Sequence, residues 1–209
     1  MTRASARISA LRSADAFASD IDAKPGWRIE FLQGQLIELS GHGATATLTL
    51  AFSLVLSAQQ QRETTAWVTA DADLFYPPDV QAGGVDLGAL VIIKAGDATT
   101  AARAADKLLR SGAFGLVVLD LGDANDKGNA TGSHAGLTTS SLARLLKLAR
   151  RHKSTVLCLT DKHRWQASLG VLVSLRCQAI RTPTKNGLFQ CEIEVLKDKR
   201  GGPGWSHEL

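Results

Sequence analysis

Aromatic residues are scarce in this chain: phenylalanine, tryptophan and tyrosine together make up 5% of its 209 residues. That argues against an all-β sandwich, and the abundant Ala, Leu and Val suit helices packed on a parallel sheet. Cysteine is sparse too. Cys158, Cys177 and Cys191 show no CxxC spacing and sit in apolar, strand-like runs, a pattern of reduced core thiols that supports neither a disulfide framework nor a metal site. The opening stretch MTRASARISALRSADAF has no apolar core of signal-peptide length, and no later run is long enough to span a bilayer. The expectation is a cytoplasmic protein with no membrane partner. No internal repeat or low-complexity tract is present.

Hydrophobic residues make up 44% and charged residues 21%, a balance that supports one sizeable core. The formal charge of +4 is compatible with nucleic acid but too small to indicate it. Residues 1–24 read as an amphipathic N-terminal helix and linker, with Ile8, Leu11, Phe17 and Ile21 as its apolar positions and Lys24-Pro25-Gly26 as its breaker. Residues 25–200 read as the core domain and 201–209 as a flexible tail.

Apolar runs at Leu36–Leu39, Ala66–Val68, Leu90–Ile93, Leu116–Leu119 and Val156–Leu159 alternate with helical stretches. Thr45–Gln60 is apolar nearly all round, as in a helix buried against a sheet. Asp97 is placed to cap a second helix running through Arg110. Thr138–Arg151 forms a third, with Leu142, Leu145, Leu146 and Ala149 inward and Arg144, Lys147, Arg150 and Arg151 outward. Strands alternating with helices predict βαβ units and a mostly parallel sheet flanked by helices. Val171–Ile180 and Leu188–Leu196 then predict an antiparallel hairpin at one edge.

The order strand, glycine turn, buried helix over Gly34–Gln60 is the setting of a phosphate-binding loop. On the pattern GxxxxGK[ST], Gly41 takes the first position, but Ala46, Thr47 and Leu48 occupy the other three. Gly41, Gly43, Thr45 and Thr47 therefore read as a vestigial phosphate loop, and an ordinary strand-to-helix turn accounts for them as well. No cofactor and no metal are expected.

The stretch from GQLIELSGHGATATLTLAF to the GVD segment at Gly84-Val85-Asp86, then RSGAFGLVVLD ending at Asp120, resembles the ATPase core of bacterial RecA recombinases. Gly132-Ser133-His134-Ala135-Gly136-Leu137 resembles a DNA-binding loop of that family, and the final hairpin ending VLKDKRGGP resembles its closing strands. The resemblance covers about 165 residues, Gly34 to Arg200, and implies a RecA-like core with a C-terminal antiparallel hairpin. Asp120 takes the place of the family's Walker B acid, and Asp71 that of its catalytic glutamate. Thr160-Asp161 stands where the family has a sensing glutamine, and only Lys162-His163-Arg164-Trp165-Gln166 remains of its second DNA-binding loop.

Short RecA-like chains with damaged nucleotide sites are similar to ImuA, an accessory protein of SOS mutagenesis that works with ImuB and an error-prone polymerase. This resemblance implies a non-catalytic protein of DNA-damage-induced translesion synthesis. Its partners would be an ImuB-like protein and possible others, RecA, a polymerase or a second copy. A SulA-like inhibitor binding FtsZ and a DNA-stimulated RecA-superfamily ATPase are the competing readings. Candidate partner or DNA contacts are Ile8, Leu11 and Phe17 on the first helix, the basic face Arg144, Lys147, Arg150 and Arg151, and Arg164 with Trp165. Each cluster also has a structural reading, as a solvated face or a ring covering the core.

Overall fold

The apolar runs of the sequence become strands of one sheet because each is long enough to cross a core, and all but the edge run Leu90–Ile93, whose Val91 and Ile92 are exposed, are buried there. The computed structural model describes residues 26–70, 77–122, 137–184, 187–200 and 206–208. Its strands are β1 (Leu36–Gly41), β2 (Thr65–Thr69), β3 (Leu90–Lys94), β4 (Leu116–Asp120), β5 (Thr155–Asp161), β6 (Leu175–Pro183), β7 (Phe189–Asp198) and β8 (Ser206–Glu208). They form one sheet in the order β3-β2-β4-β5-β1-β6-β7-β8. The ladders from β3 through β6 are parallel, and β7 and β8 add antiparallel pairs at one edge. The expected mostly parallel α/β sheet with an antiparallel C-terminal hairpin is the one observed.

The helices are α1 (Ile29–Leu32), α2 (Thr47–Gln60), α3 (Pro77–Ala82), α4 (Ala98–Ser111) and α5 (Thr139–His152). α2 lies on one face of the sheet, where Leu50, Leu54 and Val55 pack with Ile37, Leu39, Trp67 and Leu157. Inside this cluster Phe52 stacks on the fully buried Trp67, ring centroids 4.6 Å apart. α4 and α5 cover the other face through Ala101, Ala105, Leu109, Leu142, Leu145 and Ala149, against Leu36, Val117, Val156 and Cys158. α4 starts where Asp97 accepts the Thr100 N–H and stops at Gly112, whose φ of 71° belongs to the left-handed region glycine enters without a Cβ clash. Thr138 caps α5 by accepting the Ser141 N–H at 3.2 Å.

Three segments differ from the sequence reading. β6 begins at Leu175, not Val171, because the Val173 N–H first donates to Gly170 O and turns the chain, leaving Val171 exposed. Pro77-Pro78, a pair that in sequence reads as stiffening a turn, opens α3, since a proline at the first helical position is already set at the helical φ. Ser206–Glu208, read as tail, pairs with Glu192–Glu194 of β7, so the sheet extends past the Arg200 boundary. The expected N-terminal helix with Ile8, Leu11 and Phe17, Asp71 and the Gly132–Gly136 segment lie outside the described residues.

All three cysteines are free thiols; Cys158 and Cys177 are buried and Cys191 is half-buried. Burial pushes the Cys158 and Cys177 thiols far up from their ordinary range, and the Glu38 charge adds to the effect at Cys158. Since the thiolate is the reactive form, a thiol reagent should modify Cys191 alone in the native protein. It should reach all three in denaturant, as mass spectrometry of timed labelling will show.

Candidate functional site at the carboxyl edge of the sheet

β1 ends at Gly41 and α2 begins at Thr47, and the turn between them closes on itself. The Thr45 N–H donates to Gly43 O at 3.0 Å, and the Thr45 and Thr47 hydroxyls are hydrogen-bonded at 2.7 Å. Both hydroxyls fold over Gly41, where a Cβ would collide with them and crowd Thr45 Cβ, so a side chain at residue 41 would force the two threonines to move. Ala46 at the helix N-cap has no side chain able to cap. Leu48 faces outward, about half-exposed.

β5 lies beside β1 with Asp161 opposite Gly41. The two are joined through His42, whose Nδ1 lies 2.7 Å from Asp161 Oδ1. The His42 ring is 3.9 Å from that of His163, which stacks at 4.2 Å and 10° on Trp165. Trp165 is 75% exposed. Beside it Arg164 forms a 2.6 Å ion pair with Glu194 of β7. The edge thus carries a row of two imidazoles and an open indole, in which His163 and Trp165 lie flat on each other and His42 is tilted by 47° to His163, bordered by charge.

A buried acid holds this row in place. Glu38 sits mid-way along β1 with no solvent exposure. Its Oε1 accepts from Lys162 Nζ at 3.2 Å and Thr160 Oγ1 at 3.4 Å; its Oε2 accepts from Ser168 Oγ at 2.7 Å and the Leu169 N–H at 2.9 Å. Arg176 of β6 lies 3.9 Å away on the same carboxylate. Lys162 also donates to Ala167 O at 3.3 Å. Both ends of the Lys162–Leu169 segment are therefore tied to one carboxylate, and His163, Arg164 and Trp165 stand between the ties.

Asp120 closes β4 on the same edge, separated from β1 by β5. Gly41, Gly43, Thr45, Thr47, Asp120, Arg164 and Trp165 thus share one edge. The basic face of α5 does not join them. Arg144 pairs with Asp106 of α4 at 3.0 Å, the carboxylate that also holds Arg110 at 2.7 Å. Lys147, Arg150 and Arg151 are exposed toward the end of α5, which leads into the start of β5 at the opposite edge. Lys162, grouped by sequence with the surface cations of its loop, is buried against Glu38. Glu38 and Arg176 carried one legible signal, a charged residue inside an apolar strand run.

Residues 12–163 match the model of the RecA N-terminal domain. The chain belongs to that family. It is 30% identical over 140 residues to the protein RecA of Fusobacterium nucleatum, a match covering 62% of this chain and 36% of that protein. It is 33% identical over 133 residues to the protein RecA of Salinispora tropica, covering 61% and 37%. The chain therefore spans well under half the length of these curated relatives. Its fold is similar to that of the RadB recombinase, with a TM-score of 0.65 and 18% identity over 85% of this chain and 87% of that one. The sheet described above is a RecA-like fold, and among the described residues no helix is long and apolar enough to cross a membrane.

Replacing Glu38 by glutamine leaves two buried cations without their carboxylate. Loss of one partner from a buried ion pair costs about 3–5 kcal/mol, so Glu38→Gln should lower the free energy of unfolding by at least about 3 kcal/mol. Urea titration followed by circular dichroism measures it, and a cost under about 1 kcal/mol would mean that the network does not hold the loop.

Proposed function

We propose that this RecA-family chain is a non-catalytic accessory protein of DNA-damage-induced translesion synthesis, acting through protein contacts with an ImuB-like, polymerase-family partner. The observation that carries the non-catalytic reading is the filled interior of the Gly41–Leu48 turn. A phosphate there needs open backbone N–H groups, a cationic side chain and a hydroxyl for magnesium. In this turn the Thr45 N–H is engaged by Gly43 O, and the Thr45 and Thr47 hydroxyls bond each other over Gly41. Thr47 stands where the lysine would be and Leu48 where the hydroxyl would be. A lost charge-assisted contact alone is worth roughly 1.5–3 kcal/mol, and leucine offers magnesium no ligand.

The accessory role rests on the resemblance to ImuA: a RecA-like order kept through the closing hairpin, with the nucleotide residues replaced. Contacts through Ile8, Leu11 and Phe17 fit this role, because a short amphipathic helix of the kind their spacing predicts needs a surface to dock on. The exposed His163–Trp165 stack favours weak contact with single-stranded DNA as a secondary property.

Calorimetric titration with MgATP should give no binding heat, and a micromolar, magnesium-dependent affinity would restore the ATPase reading. Pull-down against an ImuB-like protein and against FtsZ separates the accessory role from a SulA-like one, with capture of the first expected. Single-strand binding should be weak and fall steeply with salt. Tight binding that persists well above physiological ionic strength would show a complete DNA site.

A further inference from the structure

Among the described residues, a group of exposed cations lies at the edge opposite the glycine turn. α5 ends at His152 just before β5 begins, so its last turn sits where the parallel strands start. β7 runs antiparallel to β6 and ends at Asp198 opposite Leu175, the first residue of β6, so Lys199 and Arg200 emerge at that same edge. The two basic segments meet at Gly34. Arg150 Cα and Arg200 Nη2 both lie within 4 Å of the point where a Cβ on Gly34 would stand, at 3.6 and 3.8 Å. Six residues of β1, about 20 Å at 3.3 Å each, separate this meeting point from Gly41.

Lys147, Arg150, Arg151, Lys199 and Arg200 are all exposed. Among the described residues none of the five is held in an ion pair. Arg200 spends one donor on Gln33 O at 3.0 Å and Lys199 one on Val171 O at 2.5 Å, leaving most of their N–H groups open. Asp198, whose Oδ1 accepts the Arg200 N–H at 2.7 Å, is the carboxylate among them. Cations in the last turn of a helix offset its dipole, but that partial charge is only about −0.5. It explains Arg150 and Arg151 and leaves Lys147, Lys199 and Arg200 unexplained.

We propose that this surface docks the phosphate backbone of duplex nucleic acid, independently of sequence and of the glycine-turn edge. The composition selects the partner. Protein interfaces bury cores depleted in lysine and other charged groups, whereas backbone contacts to nucleic acid are made of exposed lysine and arginine. Single strands are held on aromatic platforms; the five residues include none, and the exposed Trp165 belongs to the other edge. Lys147 and Arg151 are one helical turn apart, about 5–6 Å between their Cβ atoms, close to the separation of neighbouring phosphates on a strand.

Fluorescence anisotropy with a labelled mixed-sequence duplex, over a series of salt concentrations, tests this on the full chain. Wild type should bind detectably at low salt and lose affinity steeply as salt rises. The triple variant Lys147→Ala, Arg151→Ala, Lys199→Ala should bind at least about tenfold more weakly at low salt, with a log–log salt slope shallower by roughly 2–3. A variant of equal charge loss elsewhere, Lys94→Ala, Arg103→Ala, Lys107→Ala, should bind like wild type. If the first triple variant fails a circular dichroism check, the single exposed change Lys147→Glu replaces it, with several-fold weaker binding expected. No duplex binding at low salt overturns the proposal, as does equal weakening by both triple variants. Binding of polyglutamate that the first triple variant abolishes, without duplex binding, assigns the surface to an acidic protein and overturns it too.

Discussion

The carboxylate of Glu38 lies wholly inside the protein on the central strand β1, and moving such a charge out of water costs several kcal/mol unless it is fully partnered. Its partners come from three places: Lys162, Thr160, Ser168 and the Leu169 N–H around the end of β5 and its loop, and Arg176 from β6. The acid therefore fixes where the loop after β5 leaves the sheet and where it returns. It also ties β6, and with it the antiparallel edge, to the parallel half. The His42–His163–Trp165 row inherits its position from this arrangement, since His163 and Trp165 lie between the segment's two anchored ends.

Much of the architecture was legible in the sequence because it rests on local patterns. Continuous apolar runs marked the parallel strands, Asp97 marked one helix start by its side-chain chemistry, and apolar spacing marked the helix from Thr138. The candidate site was legible only in outline. Gly41, Thr45 and Thr47 were found from motif spacing, but the closure of their hydroxyls over Gly41 depends on backbone geometry that spacing does not encode. Lys162 reads as one more cation in a charged loop, because the partner that draws it inward is 124 residues away in the chain. The same holds for His42 and Asp161, 119 residues apart, and for Arg150 and Arg200, which meet only through Gly34.

The fold separates its two charged surfaces by the length of the strands. In a parallel sheet all carboxyl ends share one edge and all amino ends the other, so chemistry gathered by the strand ends collects on one side. Gly41, Asp120, Asp161 and the Trp165 row lie at the carboxyl edge. The end of α5 lies at the amino edge because it leads into a strand, and β7 returns Lys199 and Arg200 there because it runs the other way. Two partners engaged at the two edges would not obstruct each other.

Three of the four tryptophans lie among the described residues, and their placement gives the protein an internal optical probe. Trp27 and Trp67 are buried, and Trp67 is stacked on Phe52, so their emission should lie toward the blue and respond only when the core opens. Trp165 is open to water and lies face to face with His163. Trp165 therefore contributes a red component to the emission, set by its exposure to water. Any molecule that covers the row dims or shifts the same component without a label, while the blue component reports separately whether the fold has stayed intact.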